Sequence, residues 1–156
     1  MQKIVDKHYC MSSFLTFRCI IDSSKLFQKG MEHPSYSPVA PDKQTPCMTA
    51  YDIDRDIKKQ LEAIDLTHAA ILLSGGMDSA ILASYMPKGM KAYTAVCSAQ
   101  NAVDETQRAK EYCEKNNLEH VVVNVEWKDY LETMDSLMRN DGCPVFANEP
   151  QVYRLA

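Results

Sequence analysis

The sequence lacks any apolar run approaching the ~20 residues that a membrane helix needs, so a helical span is excluded. Its opening, Met1–Gln2–Lys3, leads into no apolar stretch of the kind a secretory signal carries. Cysteines are present at Cys10, Cys19, Cys47, Cys97, Cys113 and Cys143, but there is no C-x-x-C pair and no cysteine–histidine cluster. That argues against a zinc site and for reduced thiols in a cytoplasmic protein, with Cys97 and Cys113 acting as small apolar residues. Charge of positive sign is short: the net charge is −4, with no basic face to attract nucleic acid in general. Any phosphate site must therefore be a local device. The Gly-Lys-Ser/Thr of a Walker loop and the G-x-G-x-x-G dinucleotide fingerprint are both missing, as are internal repeats.

What is present is a chain of 156 residues, 46% hydrophobic and 24% charged, long enough for one domain with a real core. A division falls near residue 50. Residues 1–49 read as an N-terminal extension: a polar leader over 1–13, a possible strand over Phe14–Ile21, and a loop from Gly30 to Pro46 carrying Pro34, Pro38, Pro41 and Pro46. From residue 50 the pattern becomes regular. Ile53, Ile57, Leu61 and Ile64 share one face of a helix that Asp52 is expected to cap. Ala69–Leu73 is a continuous apolar run, as in a strand buried on both faces. A helix over Asp78–Tyr85, a strand over Lys91–Cys97 and a helix opened by an Asp104/Gln107 capping box follow, with Asn116–Asn117 as its stop. His120–Val125 is a third strand, and Trp127–Arg139 a helix with Tyr130, Leu131, Met134, Leu137 and Met138 on its apolar face. Strand–helix alternation of this kind predicts βαβ crossovers, and hence an α/β fold around a parallel sheet.

Between the first strand and its helix lies Ser74-Gly75-Gly76-Met77-Asp78-Ser79. Two glycines allow backbone conformations closed to other residues and leave no Cβ in a ligand's way. Successive N–H groups can then converge on phosphate oxygens, helped by the start of the next helix. Ser74 and Ser79 add hydroxyls. Asp78 is unfavourable among phosphates unless it caps the helix, binds magnesium, or does both. The plainer reading is a tight strand-to-helix turn, which a bare Gly-Gly would favour; the full six-residue string in this setting favours a phosphate loop.

The stretch Ile71-Leu72-Leu73-Ser74-Gly75-Gly76-Met77-Asp78-Ser79 resembles the pyrophosphate loop of the N-type ATP pyrophosphatases, and most nearly the synthetase domain of asparagine synthetases. Thr94-Ala95-Val96, Asp104-Glu105 with Ala109, and Ala147-Asn148-Glu149-Pro150 with Tyr153 resemble later segments of that domain, so the likeness covers about residues 50–156. The resemblance implies a three-layer α/β/α domain of the adenine nucleotide α-hydrolase type. It implies ATP and magnesium as cofactors and a carboxylate substrate activated as acyl-AMP with release of pyrophosphate. Residues 74–79 would hold the phosphates, Asp78 the magnesium and the catalytic role, and Leu73 and Val96 the adenosine. Glutaminase nitrogen supply is not expected, since Gln2 stands where those enzymes carry a nucleophilic cysteine, so free ammonia, an ammonia-supplying partner or the substrate itself would provide the nitrogen. The family's second glycine-serine motif would be expected after the Tyr153 helix and does not occur by Ala156, so the domain reads as incomplete: either a fragment of a longer protein or one that has lost half its site.

Other residues carry weaker signals. His8, His33, His68 and His120 are scattered, and Trp127 is expected to pack. Glu105 fits first as a complement to a helix dipole, and second as a residue orienting magnesium or substrate. Asp141 and Glu149 are expected in loops near a substrate. Two rival functions stand beside the ligase. One is modification of a tRNA base, disfavoured by the missing basic patch and C-x-x-C. The other is a nucleotide-binding module that performs no chemistry.

Overall fold

Seven residues rich in β-branched and aromatic side chains are long enough to form a full ladder, and two such segments do. Lys91–Cys97 and Glu119–Val125 pair in parallel over their whole length, with Lys91 opposite Glu119 and Cys97 opposite Val125. The computed structural model describes residues 3–31, 39–98, 100–141 and 144–156. Its elements, in chain order, are β1 (Ile4–Val5), α1 (Lys7–Phe17), β2 (Lys25–Leu26), a short 3-10 turn (Pro41–Lys43), α2 (Ala50–Glu62), β3 (Ile71–Leu72), α3 (Met77–Ala83), β4 (Lys91–Cys97), α4 (Thr106–Asn116), β5 (Glu119–Val125), α5 (Trp127–Asp141) and α6 (Glu149–Leu155). The fold is α/β, as the alternation implies.

The contacts divide the chain into two compact units: residues 40–127 with 155–156, and residues 1–39 with 128–154. In the first, three parallel strands lie in the order β3-β4-β5. The order steps in one direction, and crossovers between parallel strands are right-handed, which puts α3 and α4 on the same sheet face. That face holds the core: Ile71, Leu73, Ala83, Met90, Ala92, Ala109, Cys113 and Leu118. Ala83, Ala92 and Ala109 are fully buried, and their small size allows the helices to approach the sheet closely. Asn117 ends α4 in the left-handed conformation, so the expected stop is where the pattern put it.

The structure corrects several local expectations. Residues 14–17 are helical, not strand, and the leader holds β1 and most of α1, whose first turn is capped by Asp6. Ser13 stabilises the turn after that helix, donating to the Cys19 carbonyl and accepting from the Ile21 N–H. Thr49, not Asp52, caps α2; Asp52 is the reciprocal partner three residues later in a capping box. The Asp104/Gln107 box does not form. Asp104 instead accepts from the Thr106 N–H and hydroxyl, and Gln107 donates to Glu111. Leu72 is 38% exposed, so the first strand alternates instead of being buried on both faces. In α5, Tyr130 and Thr133 are buried whereas Leu131 is exposed. The buried pair is tied down: the Tyr130 hydroxyl donates to the Ala147 carbonyl, and Arg154 Nε donates to Thr133 Oγ1. Glu149 begins α6 and lies in no loop. His33 and the Gly142–Cys143 stop fall outside the described residues.

One polar chain crosses the core. Thr94, 2% exposed, donates its hydroxyl to the Leu73 carbonyl at 2.8 Å. His120 Nε2 lies 2.9 Å from that same hydroxyl. Since the hydroxyl's only proton goes to Leu73, His120 must donate, which fixes the Nε2–H tautomer. Partial burial, with a smaller contribution from Lys110, lowers the His120 pKa below its usual 6.5.

Two outcomes follow. Because the unfolded chain takes up a proton on His120 before the folded one does, stability falls as pH drops from neutral through 6.5 to the lower folded value. Urea midpoints measured between pH 8 and 5 should show this decline, and His120→Asn should flatten it. Ala109→Leu should cost about 1–3 kcal/mol by overpacking the α4–sheet contact, read from the same denaturation curves.

Candidate functional site

Leu73 delivers the chain into the loop. Its N–H donates to the Tyr93 carbonyl at 2.8 Å, its carbonyl accepts from Thr94, and its side chain is 2% exposed. The residue is thus held at three points, and toward an adenosine it retains only the second lone pair of its carbonyl. The next residue, Ser74, is exposed, and the loop Ser74–Ser79 follows at the carboxyl end of the strand.

Ser79 is the hub of the loop. Its hydroxyl lies 2.9 Å from the Ser74 hydroxyl, accepts from the Ser74 N–H, and is within 3.2 Å of the Ser74 and Gly76 carbonyls. Gly76 N–H donates to Ser74 Oγ at 3.1 Å. Two hydroxyls and two backbone N–H groups therefore converge within one turn. Met77 and Asp78 are the first residues of α3, where N–H groups have no carbonyl of the helix to reach. This is a concentration of donors at the protein surface, the requirement for seating an anion.

The reason for glycine differs from the expectation. Neither Gly75 nor Gly76 has a positive φ. Gly75 is constrained by proximity: a Cβ there would lie 3.0 Å from Glu105 Cβ and 3.4 Å from Arg108 Cδ. The loop is packed against the start of α4, and a side chain would push the two apart. Gly75, Val103, Asp104, Glu105, Gln107, Arg108 and Glu111 line a hollow of about 430 Å³ there. Arg108 reaches back and donates from Nη1 to the Gly75 carbonyl at 3.3 Å.

Of the remaining candidates, Val96 is half-buried near the carboxyl end of β4, opposite Asn124, which is where ligands bind in open parallel sheets. Asp78 is exposed in the first turn of α3. No group of three or more metal-ligating side chains occurs among the described residues. A lone carboxylate nonetheless fits magnesium, which commonly takes one or two carboxylates and completes its shell with phosphates and water. Trp127 heads α5 and is 47% exposed. The described cysteines are free thiols, and burial pushes Cys10 and Cys113 above the usual thiol range. Arg108 was not legible as a loop residue. The available signal was its position: a cation in the first turn of a helix opposes the dipole and needs another reason to be there.

Comparison with known families gives one finding. The asparagine synthase family model matches residues 53–154, a segment that contains β3, the loop, β4 and α4. No match was found among curated proteins or among solved structures. No described helix is long and apolar enough to cross a membrane.

The contact at Gly75 makes a direct prediction. Gly75→Ala should destabilise the fold by about 1–3 kcal/mol, because the Glu105 Cβ is a short, rigid obstacle. In the Glu105→Gly background the same substitution should cost markedly less. A double-mutant cycle by chemical denaturation checks this.

Proposed function

Because the chain belongs to the asparagine synthase family, a family of ATP-using ligases, we propose that Ser74–Ser79 binds the phosphates of ATP with magnesium and supports formation of an acyl-adenylate. The observation that carries the reading is the six-residue string itself, seated between β3 and α3 within the matched segment, with its hydroxyls and N–H groups converging. We assign the ATP-binding domain to residues 50–156.

In the proposed reaction a carboxylate oxygen of a small-molecule acid attacks the α-phosphorus. The bond from that phosphorus to the bridging oxygen breaks, and pyrophosphate leaves with the electron pair. Ammonia then attacks the acyl carbon, AMP departs, and the nitrogen loses a proton to solvent. Ammonia would arrive free or from a partner. The chain's own residues contribute position and charge. Ser74, Gly76 and Ser79 donate toward the β- and γ-phosphates, with Met77 N–H beside them; Val96 and the Leu73 carbonyl face the adenosine. Preorganised donors of this kind act most strongly where charge accumulates in the transition state. Magnesium, held by Asp78, would neutralise charge on the departing pyrophosphate. The free thiols agree with a reducing, cytoplasmic setting.

The test is pyrophosphate release. The chain, and any longer product of the same gene, is incubated with magnesium-ATP, ammonium and a panel of carboxylic acids that includes aspartate. Acid-dependent release is expected, and Asp78→Asn should lower it by about 10²-fold or more. ATP binding with no release from either form would contradict the ligase reading and favour a non-catalytic nucleotide-binding module. Absence of ATP binding would contradict the loop assignment itself.

A further inference from the structure

A trans peptide is planar, and its C=O and N–H point in opposite directions. Fixing a carbonyl on one side of a loop therefore fixes the following N–H on the other. The Gly75–Gly76 peptide is held in this way. Its carbonyl accepts from Arg108 Nη1 at 3.3 Å on the α4 side, and its N–H, belonging to Gly76, donates to Ser74 Oγ at 3.1 Å on the inner side of the loop.

We infer that Arg108 is a positioning residue, which clamps the Gly75 carbonyl so that the Gly76 N–H is aimed in advance at the place a phosphoryl oxygen takes. The inference rests on the phosphate-loop reading above and adds to it a residue outside the loop. Three features support it. First, glycine residues hold their peptide planes weakly, and a Gly-Gly pair left alone samples many orientations; an external hold is needed if a donor is to be ready before the ligand arrives. Second, two of the three carboxylates near Arg108 in sequence have other attachments, and the third, Glu105, lies against Gly75 as Arg108 does. Asp104 is engaged with Thr106, and Glu111 with Gln107, and the guanidinium bonds the loop carbonyl. Third, the Arg108 stem lies along Gly75, with its Cδ at contact distance, 3.4 Å, from where a Cβ of residue 75 would stand. In the ligand-free loop Ser74 Oγ takes the Gly76 N–H, standing where a phosphoryl oxygen would accept. On binding, the N–H passes to the anion and the serine hydroxyl is released to donate as well.

The experiment compares wild type, Arg108→Ala and Arg108→Lys in ¹⁵N-labelled full chain, with magnesium pyrophosphate as the probe. Arg108 is exposed, so both variants should keep the wild-type unfolding midpoint. In the ligand-free state, Arg108→Ala should shift the Gly76 amide resonance and speed its hydrogen exchange. Its Kd for magnesium pyrophosphate should rise about tenfold, the effect of one charge-assisted hydrogen bond. Arg108→Lys, which keeps a donor, should recover part of both. Weaker binding with an unmoved Gly76 amide would overturn the inference in favour of direct attraction between guanidinium and anion. A moved Gly76 amide with unchanged binding would also overturn it. Failure of the unmutated chain to bind pyrophosphate would reject the phosphate-loop reading, and with it this one; it is told apart because it needs no variant.

Discussion

The anchoring of Leu73 is the constraint on which the rest of the site depends. Ser74–Ser79 has little apolar substance of its own, so nothing inside the loop holds it in place. Its position comes from its two ends. At one end Leu73 is tied to Tyr93 through the ladder and to Thr94 through a buried hydroxyl, itself supported by His120. At the other, α3 is sunk into the core by the fully buried Ala83. A single hydrogen bond contributes only about 0.5–1.5 kcal/mol. A buried one that loses its partner costs more, because the stranded group cannot return to water. That asymmetry makes the strand end rigid, and the rigid end makes the loop's donors converge.

Charge is then handled locally. A chain of net charge −4 has no field that draws phosphate in. The donors at Ser74, Gly76 and Ser79 are neutral, and the one carboxylate among them, Asp78, repels phosphate unless a cation intervenes. Arg108 enters from α4 as a cation beside the loop. The start of α4 therefore does two jobs: it crowds the position a Cβ of residue 75 would take through Glu105, and it holds that glycine's peptide through Arg108. Packing and electrostatics meet at one helix turn.

Much of this was legible in the sequence, and the boundary is physical. β4 matches its expected bounds and β5 starts one residue early, because a run such as Val121-Val122-Val123 packs well only on a pleated surface. The phosphate loop was readable because its residue types are chemically unusual together. The first 39 residues were not. Phe14–Ile21 has strand-like composition, but Asp6 starts a helix upstream that runs through residue 17, and local propensity is weak against such a cap. Likewise the Asp104/Gln107 pair has the right spacing for a capping box, but a Thr two residues after Asp104 competes for the same carboxylate and wins. The packing of residues 128–154 with the first 39 residues is a long-range relation that no periodicity encodes. Arg108 was hidden for the same reason, since its partner lies 33 residues away.

On this reading the phosphates of a nucleotide sit on the loop that Leu73 anchors. Amide chemical-shift mapping with magnesium-ATP tests it most directly. Perturbations should concentrate at residues 74–79, largest at Ser74, Gly76 and Met77, with a second, smaller group near Val96. Perturbations absent from 74–79, or centred elsewhere, would contradict it.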